Sequence, residues 1–294
     1  MMVKKETKMK HNRSMRKRKL LTNTFVHILL SVLAIIWILP IVWVIITSFK
    51  GDGTGPYTGQ FLPTKFTLDN YIRLFKENDL FYFGRWFMNT LVVAIFSCII
   101  STFYVLCISY SLSRTRFKGR KTMMNFGLIL NMFPGFMSMI AVYYILKGIG
   151  ITQSLIALIL VYSGGAGLGY YIAKGFFDTI PKAIDEAAQI DGATKWSVFT
   201  KITMPLSKPI IVYTILTSFL APWLDFIFAK VIMGDKYENY TVSIGLWTML
   251  EKEFIQNWYT RFAAGAVCVS IPIALLFIVM QKYYTDGLSG SVKG

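Results

Sequence analysis

Residues able to do chemistry are few in this chain and lie far apart. Its three cysteines, Cys98, Cys107 and Cys268, sit inside apolar stretches without paired spacing, so the sequence indicates neither a disulfide framework nor a zinc site. The two histidines, His11 and His27, have no partners in sequence. No His, Cys or carboxylate pair is spaced for catalysis, which makes a membrane-embedded enzyme a weak reading. A phosphate-cradling G-x-x-x-x-G-K-[ST] loop is missing from the sequence. The run Gly164, Gly165, Gly167 and Gly169 has no following lysine and lies in an apolar stretch, where close helix packing is its expected use.

Two features stand out against that background. One is Asp225, a carboxylate in an apolar stretch just after Pro222. At bilayer depth such a group costs roughly 2.5 kcal/mol or more unless it faces water or a partner. It reads either as a group lining a path or gate, or as one paired to a neighbouring subunit. The other is the segment from Ile180 to Pro209, too polar to span a membrane and too patterned for a simple loop. Pro181 suits a first helical position. Ile184, Ala187 and Ala188 then share one helical face, with Lys182, Asp185, Glu186 and Gln189 elsewhere. Gly192 suits a left-handed helix stop. Trp196, Phe199 and Thr203 follow at helical spacing until Pro205 and Pro209, which are expected to break the second helix. The expected object is a helix, a tight turn and a second helix, shaped to fit a groove. The competing reading, an amphipathic helix on the lipid surface, asks for a polar face richer in Lys and Arg.

The elements that position these features are membrane spans. Of 294 residues, 54% are apolar and only 16% charged, where a soluble domain carries about a quarter charged. A helix of about 20 apolar residues crosses a bilayer. Six stretches qualify: Phe25 to Phe49, Asn89 to Leu112, Thr122 to Leu146, Ile151 to Tyr171, Pro209 to Met233 and Phe262 to Met280. Pro40, Pro134, Pro222 and Pro272 fall within four of them, as membrane helices allow. The first stretch is too long for the apolar core of a cleaved signal and is read as retained.

The net charge of +16 owes most to Lys4, Lys5, Lys8, Lys10, Arg13, Arg16, Lys17, Arg18 and Lys19, set against Glu6 alone. A basic run of this kind also suits nucleic acid, but that reading needs a soluble domain behind it. Here a span follows at once, so no nucleic-acid partner is expected. Arg114, Arg116, Lys118, Arg120 and Lys121 follow the second span. Basic residues are retained in the cytoplasm, which predicts both termini inside, with the 50–85 and 234–261 connections outside.

The Glu186-Ala187-Ala188-Gln189-Ile190-Asp191-Gly192-Ala193 run, followed by Ile202-Thr203-Met204-Pro205, resembles the EAA loop of permease subunits of ATP-binding-cassette importers. Met204 stands where leucine usually precedes the proline, a mild change because the two pack alike. Thr67-Leu68-Asp69-Asn70-Tyr71, Met132-Phe133-Pro134 and the ending Gly287 to Gly294 look like permeases of the carbohydrate branch, of maltose and maltodextrin type. The resemblance covers the chain from the first span onward, but not the basic tail.

That resemblance implies an all-α membrane protein with six transmembrane helices, the type I importer permease fold, and a cytoplasmic coupling helix. It divides the chain into a basic tail (1–24), a first helix and outer loop (25–85), a transmembrane core (86–282) and a cytoplasmic tail (283–294). Glu186, Ala187, Ala188, Asp191, Gly192, Ala193, Ile202 and Pro205 would seat in a cleft of an ATP-binding subunit. The chain itself would bind no cofactor, ATP and Mg being held by two ATP-binding subunits. The other implied partners are a second, MalF-like permease subunit, an extracytoplasmic sugar-binding protein and membrane lipid. Sugars offer hydroxyls and flat apolar faces, so Asn131, Tyr143, Tyr144, Trp223 and Asp225 are candidate path residues, with ordinary packing the competing reading for the aromatics. Glu251, Phe254, Asn257, Trp258 and Tyr259 correspond to the outer loop that docks the binding protein. Maltodextrin is the first expectation for the sugar, with galactan-derived and raffinose-type oligosaccharides as competitors. An ion-driven secondary transporter is the alternative of another class, and it would need paired charges in the spans.

Overall fold

A computed structural model describes residues 2–56, 62–77, 80–165 and 167–290, with side chains described at 19 and from 22 to 283 of these. The first helix, α1 (Met2–Ser48), runs through the basic stretch and the first span as one element, and Pro40 lies within it without ending it. Every residue from 22 to 42 is exposed, as suits a helix whose neighbours are lipid. Only its far end reaches the body of the protein. There Asn70, at the start of α2 (Asp69–Lys76), donates to the carbonyls of Ser48 at 3.0 Å and Lys50 at 2.8 Å.

The bundle is organised around α3 (Phe83–Arg114), whose buried positions Phe83, Trp86, Thr90, Val93, Ala94, Ser97, Ser101, Val105, Ser109 and Leu112 recur every three or four residues. Serine and alanine at many of these positions bring neighbouring backbones close. It begins six residues before the expected start at Asn89, because Phe83 and Trp86 are wholly buried and extend the apolar stripe. Two cores form on it. One gathers Trp86, Phe81, Tyr240, Val242, Ile244 and Met249, and the other gathers Val105, Leu106, Phe177, Ile180 and Ile210 near the opposite end.

Three of the expected spans are broken. The third divides into α4 (Arg120–Asn131) and α5 (Gly135–Gly148), which meet at 102°. Pro134 has no N–H to give and disfavours helix in the residue before it, so the chain turns there instead of merely bending. The fourth divides into α6 (Leu155–Gly164) and α7 (Gly169–Thr179) at 40°. The glycine cluster is thus a helix break more than the expected packing site: nothing lies within 4 Å of a Cβ on Gly164, and one on Gly165 would meet only the Val161 carbonyl of its own helix. Gly167 has φ +39, and a Cβ there would meet Asn131 Oδ1 at 2.7 Å. The fifth divides into α11 (Lys208–Leu224) and α12 (Ile227–Met233), with Asp225 extended between them. The first, second and last spans are unbroken, α4–α5 and α6–α7 add one bent span each, and the sixth is α11, which forms its bent pair with the preceding Lys195–Leu206 segment and not with α12. The last span is α14 (Ile255–Gly290).

The connection before that last span is not an open loop. It contains α13 (Val242–Met249), in which Val242, Ile244 and Met249 are fully buried. Side chains of α3 hold its approach. Trp86 Nε1 donates to the Tyr237 carbonyl at 2.7 Å, Asn89 Nδ2 to those of Glu238 and Tyr240, and Val242 N–H to Thr90 Oγ1 at 2.8 Å.

Candidate functional site

The segment between the fourth and fifth spans folds as a projecting helix–turn–helix. Its first helix, α8 (Lys182–Ile190), starts after extended Pro181. Gly192, at φ +85, closes it: Ala193 N–H reaches the Ala188 carbonyl at 2.9 Å and Gly192 N–H that of Gln189 at 3.1 Å. That pair of bonds is the Schellman stop, and its central residue favours glycine. Thr194 Oγ1 then caps α9 (Lys195–Ser197) by accepting from Ser197 N–H.

The second helix differs from expectation. Residues Val198–Thr203 form a wide π turn in which Met204 N–H reaches back to the Phe199 carbonyl, and α10 (Met204–Leu206) follows. Pro205 sits inside that last turn and Pro209 in the first turn of α11, where a missing N–H is tolerated. The expected break falls between them. The corner is the buried Ser207, whose Oγ donates to the Thr203 carbonyl at 2.7 Å, and there the second helix meets α11 at 83°.

The packing of α8 inverts the usual amphipathic arrangement. Ile184, Glu186 and Ala187 face outward, Ile190 is 86% exposed, and the buried residue is Asp185. Its Oδ2 lies 3.2 Å from Nε of Arg114, the last residue of α3. The same guanidinium donates through Nη2 to the Ile180 carbonyl at 2.8 Å. Phe199 anchors the second half against Tyr110 of α3, ring centroids 4.7 Å apart, while Trp196 stays 63% exposed. Of the residues expected to seat in a partner, Glu186, Ala187, Asp191, Gly192 and Pro205 are exposed, and Ala188, Ala193 and Ile202 are half-buried. One charged anchor and one aromatic anchor therefore hold an outer face of apolar residues that none of the described residues covers.

The residues expected along a path do not form one cluster. Asn131 closes α4, donating to the Gly127 carbonyl at 2.9 Å and lying against Gly167. Tyr143 and Tyr144 pack edge to face on α5, with Tyr144 exposed. Trp223 lies in the core at 3% exposure, its ring against Phe87 and Phe219. Asp225 has partners within its own chain. Its Oδ2 accepts from Tyr162 Oη on α6 at 2.7 Å, and its Oδ1 accepts from Phe228 N–H at the start of α12 at 3.1 Å. Lys230 also finds a local partner, in Tyr240 and the Gly234 carbonyl.

Beside Tyr162 opens a cavity of about 320 Å³ whose polar wall is Ser101, Tyr213, Thr214, Thr217 and Ser218. Sequence reasoning missed it, because isolated hydroxyls in apolar spans carry no local signal. Arg114 was visible only as one of a run of basic residues.

The expected docking loop runs into α14, whose first turns hold Asn257, Trp258 and Tyr259; Phe254 just before it and Trp258 within it turn inward onto Phe81, at 5.2 and 4.4 Å between ring centroids. Arg261 lies over the Trp258 ring and pairs with Glu77 at 2.6 Å. Glu251 and Asn257 are exposed and Tyr259 half-buried. The five residues assigned to docking are thus divided between the outer surface and the core.

A bundle of broken membrane spans that presents an unburied helix–turn–helix at its edge defines a multi-span integral membrane protein. The chain belongs to the binding-protein-dependent transport system inner membrane component family, which it matches over residues 105–289. It is 34% identical to the galactooligosaccharides transport system permease protein GanQ of Bacillus subtilis over 95% of this chain and 99% of that one. It is 33% identical to the maltodextrin transport system permease protein MdxG of the same organism, over 94% and 98%. A chain of a bacterial ABC transporter importing the acidic polysaccharide alginate superposes with a TM-score of 0.74 at 21% identity, covering 90% of this chain and 96% of that one. The expected type I permease fold is therefore the observed one.

Proposed function

We infer that this chain is one of two permease subunits of an importer that moves oligosaccharides across the cytoplasmic membrane, driven by ATP hydrolysis on separate subunits. The observation that carries this reading is the outer face of residues 184–206. Ile184 and Ile190 are exposed on α8, and Trp196 and Leu206 on the second helix, which meets α11 at 83°; Lys182, Glu186, Asp191, Lys195 and Lys201 lie among them. Apolar residues rimmed by charge are the signature of a docking surface. The occupant is an ATP-binding subunit, with Glu186, Ala187, Ala188, Asp191, Gly192, Ala193, Ile202 and Pro205 at or beside the contact. ATP and Mg belong to two such subunits, and this chain contributes no nucleotide site of its own.

Both termini and this element lie in the cytoplasm, with the 50–85 and 234–261 connections outside, in keeping with the basic residues at the amino terminus and after α3. The division into tail, first helix with outer loop, core and carboxyl-terminal tail follows that orientation. A second, MalF-like permease covers the remaining exposed span faces, and an extracytoplasmic sugar-binding protein delivers the substrate to Glu251, Asn257 and Tyr259. Phe254 and Trp258 support that surface from within. The sugar is a neutral oligosaccharide of the maltodextrin or galactooligosaccharide kind, the two cargoes carried in the names of the relatives above. Asn131, Tyr143 and Tyr144, together with the hydroxyl-lined cavity, are the polar groups nearest to a path, while Asp225 and Trp223 shape the helices around it.

Purification from native membranes tests the assignment. Co-isolation of ATP-binding subunits, and uptake of labelled maltodextrin or galactooligosaccharide by proteoliposomes only with internal ATP and external binding protein, is the expected result. Sugar uptake by this chain alone under an ion gradient would overturn it.

A further inference from the structure

We propose that Arg114 and Asp185 are positioning residues that make the coupling helix and α3 one mechanical body, so that displacement of α8 is carried along α3 to the opposite side of the membrane. The inference rests on the reading that residues 182–206 seat on an ATP-binding subunit, and it names the route by which that contact reaches the spans.

The link starts at the corner between α7 and α8. Arg114 and Asp185 are 6% and 9% exposed at their side chains. Arg114 Nη2 donates to the Ile180 carbonyl at the end of α7, and the preceding residue, Ser113, donates to Asp178 Oδ1 of α7 at 2.6 Å. Two consecutive side chains at the end of α3 therefore hold the last turn of α7 and the first turns of α8. Separating a buried charge from its partner is strongly unfavourable, because the other charge is left without water or counter-ion. The helix can move with α3 far more easily than past it.

The pair is not a fully satisfied one. Nε and Oδ2 approach to 3.2 Å without hydrogen-bond alignment, and Arg114 Nη1 and Asp185 Oδ1 have no hydrogen-bond partner. Spare donors and acceptors let the two groups re-pair as the corner tilts while the charges stay together. At its other end α3 holds the 237–242 segment through Trp86, Asn89 and Thr90, and this segment leads into the buried α13. With 32 residues at 1.5 Å each, α3 is about 48 Å long, enough to connect the two sides of a bilayer. Asp185 faces inward while Glu186 and Ala187 face outward, so the same short helix carries a contact surface on one side and its anchor on the other.

The test uses the assembled transporter in proteoliposomes, reading sugar uptake and ATP hydrolysis together. Asp185→Asn and Arg114→Met are each expected to lower uptake per ATP hydrolysed at least tenfold, with the ATP-binding subunits still co-isolating. A role in packing alone would lower assembly, hydrolysis and uptake in step and leave their ratio unchanged. To keep the test open if a single variant fails to assemble, the second arm is Arg114→Cys with Asp185→Cys in a chain whose three native cysteines are replaced by serine. Joining the pair with a short bis-methanethiosulfonate, which forms a mixed disulfide with each thiol and releases sulfinate, should restore the ratio, and a reductant that cleaves those disulfides should abolish it. A ratio within twofold of the parent in the single variants, or a cross-linked protein that stays uncoupled, overturns the link. Failure of the unaltered complex to couple ATP to uptake would instead overturn the functional reading on which the link rests.

Discussion

Trp86 fills the space that a side chain on Gly245 would need: a Cβ there would lie 1.9 Å from Trp86 Cε3 and 2.3 Å from Cζ3. The indole is fully buried and fixed by its bond to the Tyr237 carbonyl, so it cannot swing aside. Gly245→Ala should therefore destabilise the protein by about 1–3 kcal/mol, the usual cost of overpacking. A lower thermal midpoint in detergent and a reduced membrane level are the measurements. An unchanged midpoint would show that α13 can shift away from α3.

At Gly192 the constraint is the backbone, since open space surrounds the position but φ is +85. Gly192→Val should strain the turn by about 1–2 kcal/mol, the penalty of a left-handed conformation for a side chain with a Cβ. Gly192→Asn should be far milder, because asparagine tolerates that region. Both variants should remain in the membrane. The valine form should lose ATP-driven uptake and the asparagine form should keep most of it. Full uptake with valine would remove the turn from the coupling path.

Tyr162 and Asp225 tie α6 to the break between α11 and α12. Losing a hydrogen bond to a charged group costs about 1.5–3 kcal/mol, which sets the expected loss for Tyr162→Phe. Asp225→Asn retains an acceptor for Phe228 N–H, whereas Asp225→Leu retains none, so the leucine variant should be the less stable of the two. Equal thermal midpoints for all three variants and the parent would show the pair to be unimportant to the fold.

Glu77 bonds Arg73 at 2.5 Å and Arg261 at 2.6 Å. The Arg73 hydrogen bond, followed by the charge of Arg261, holds its carboxyl below the ordinary glutamate range despite an opposing desolvation. A folded-state value below the unfolded one means the contribution is present above the unfolded value and lost as pH falls through the folded value. Glu77→Gln should thus lower the thermal midpoint at neutral pH, and the difference from the parent should vanish in acid. A difference that persists unchanged at low pH would show that the charge is not its source.

Apolar length, charge placement and short motifs are local properties, and they are what the amino-acid sequence by itself determined: membrane residence, six spans, the projecting segment and the left-handed stop at Gly192. Tertiary structure decided matters that depend on residues far apart in the chain. Asp225 read from sequence as a group needing water or a second subunit, yet its partner is Tyr162, which no spacing rule connects to it. Asp185 read as one polar position among several on α8, and only the arrival of Arg114 from α3 makes it the buried one. Trp223 offered itself as a ligand for a sugar face until Phe87 and Phe219 closed around it.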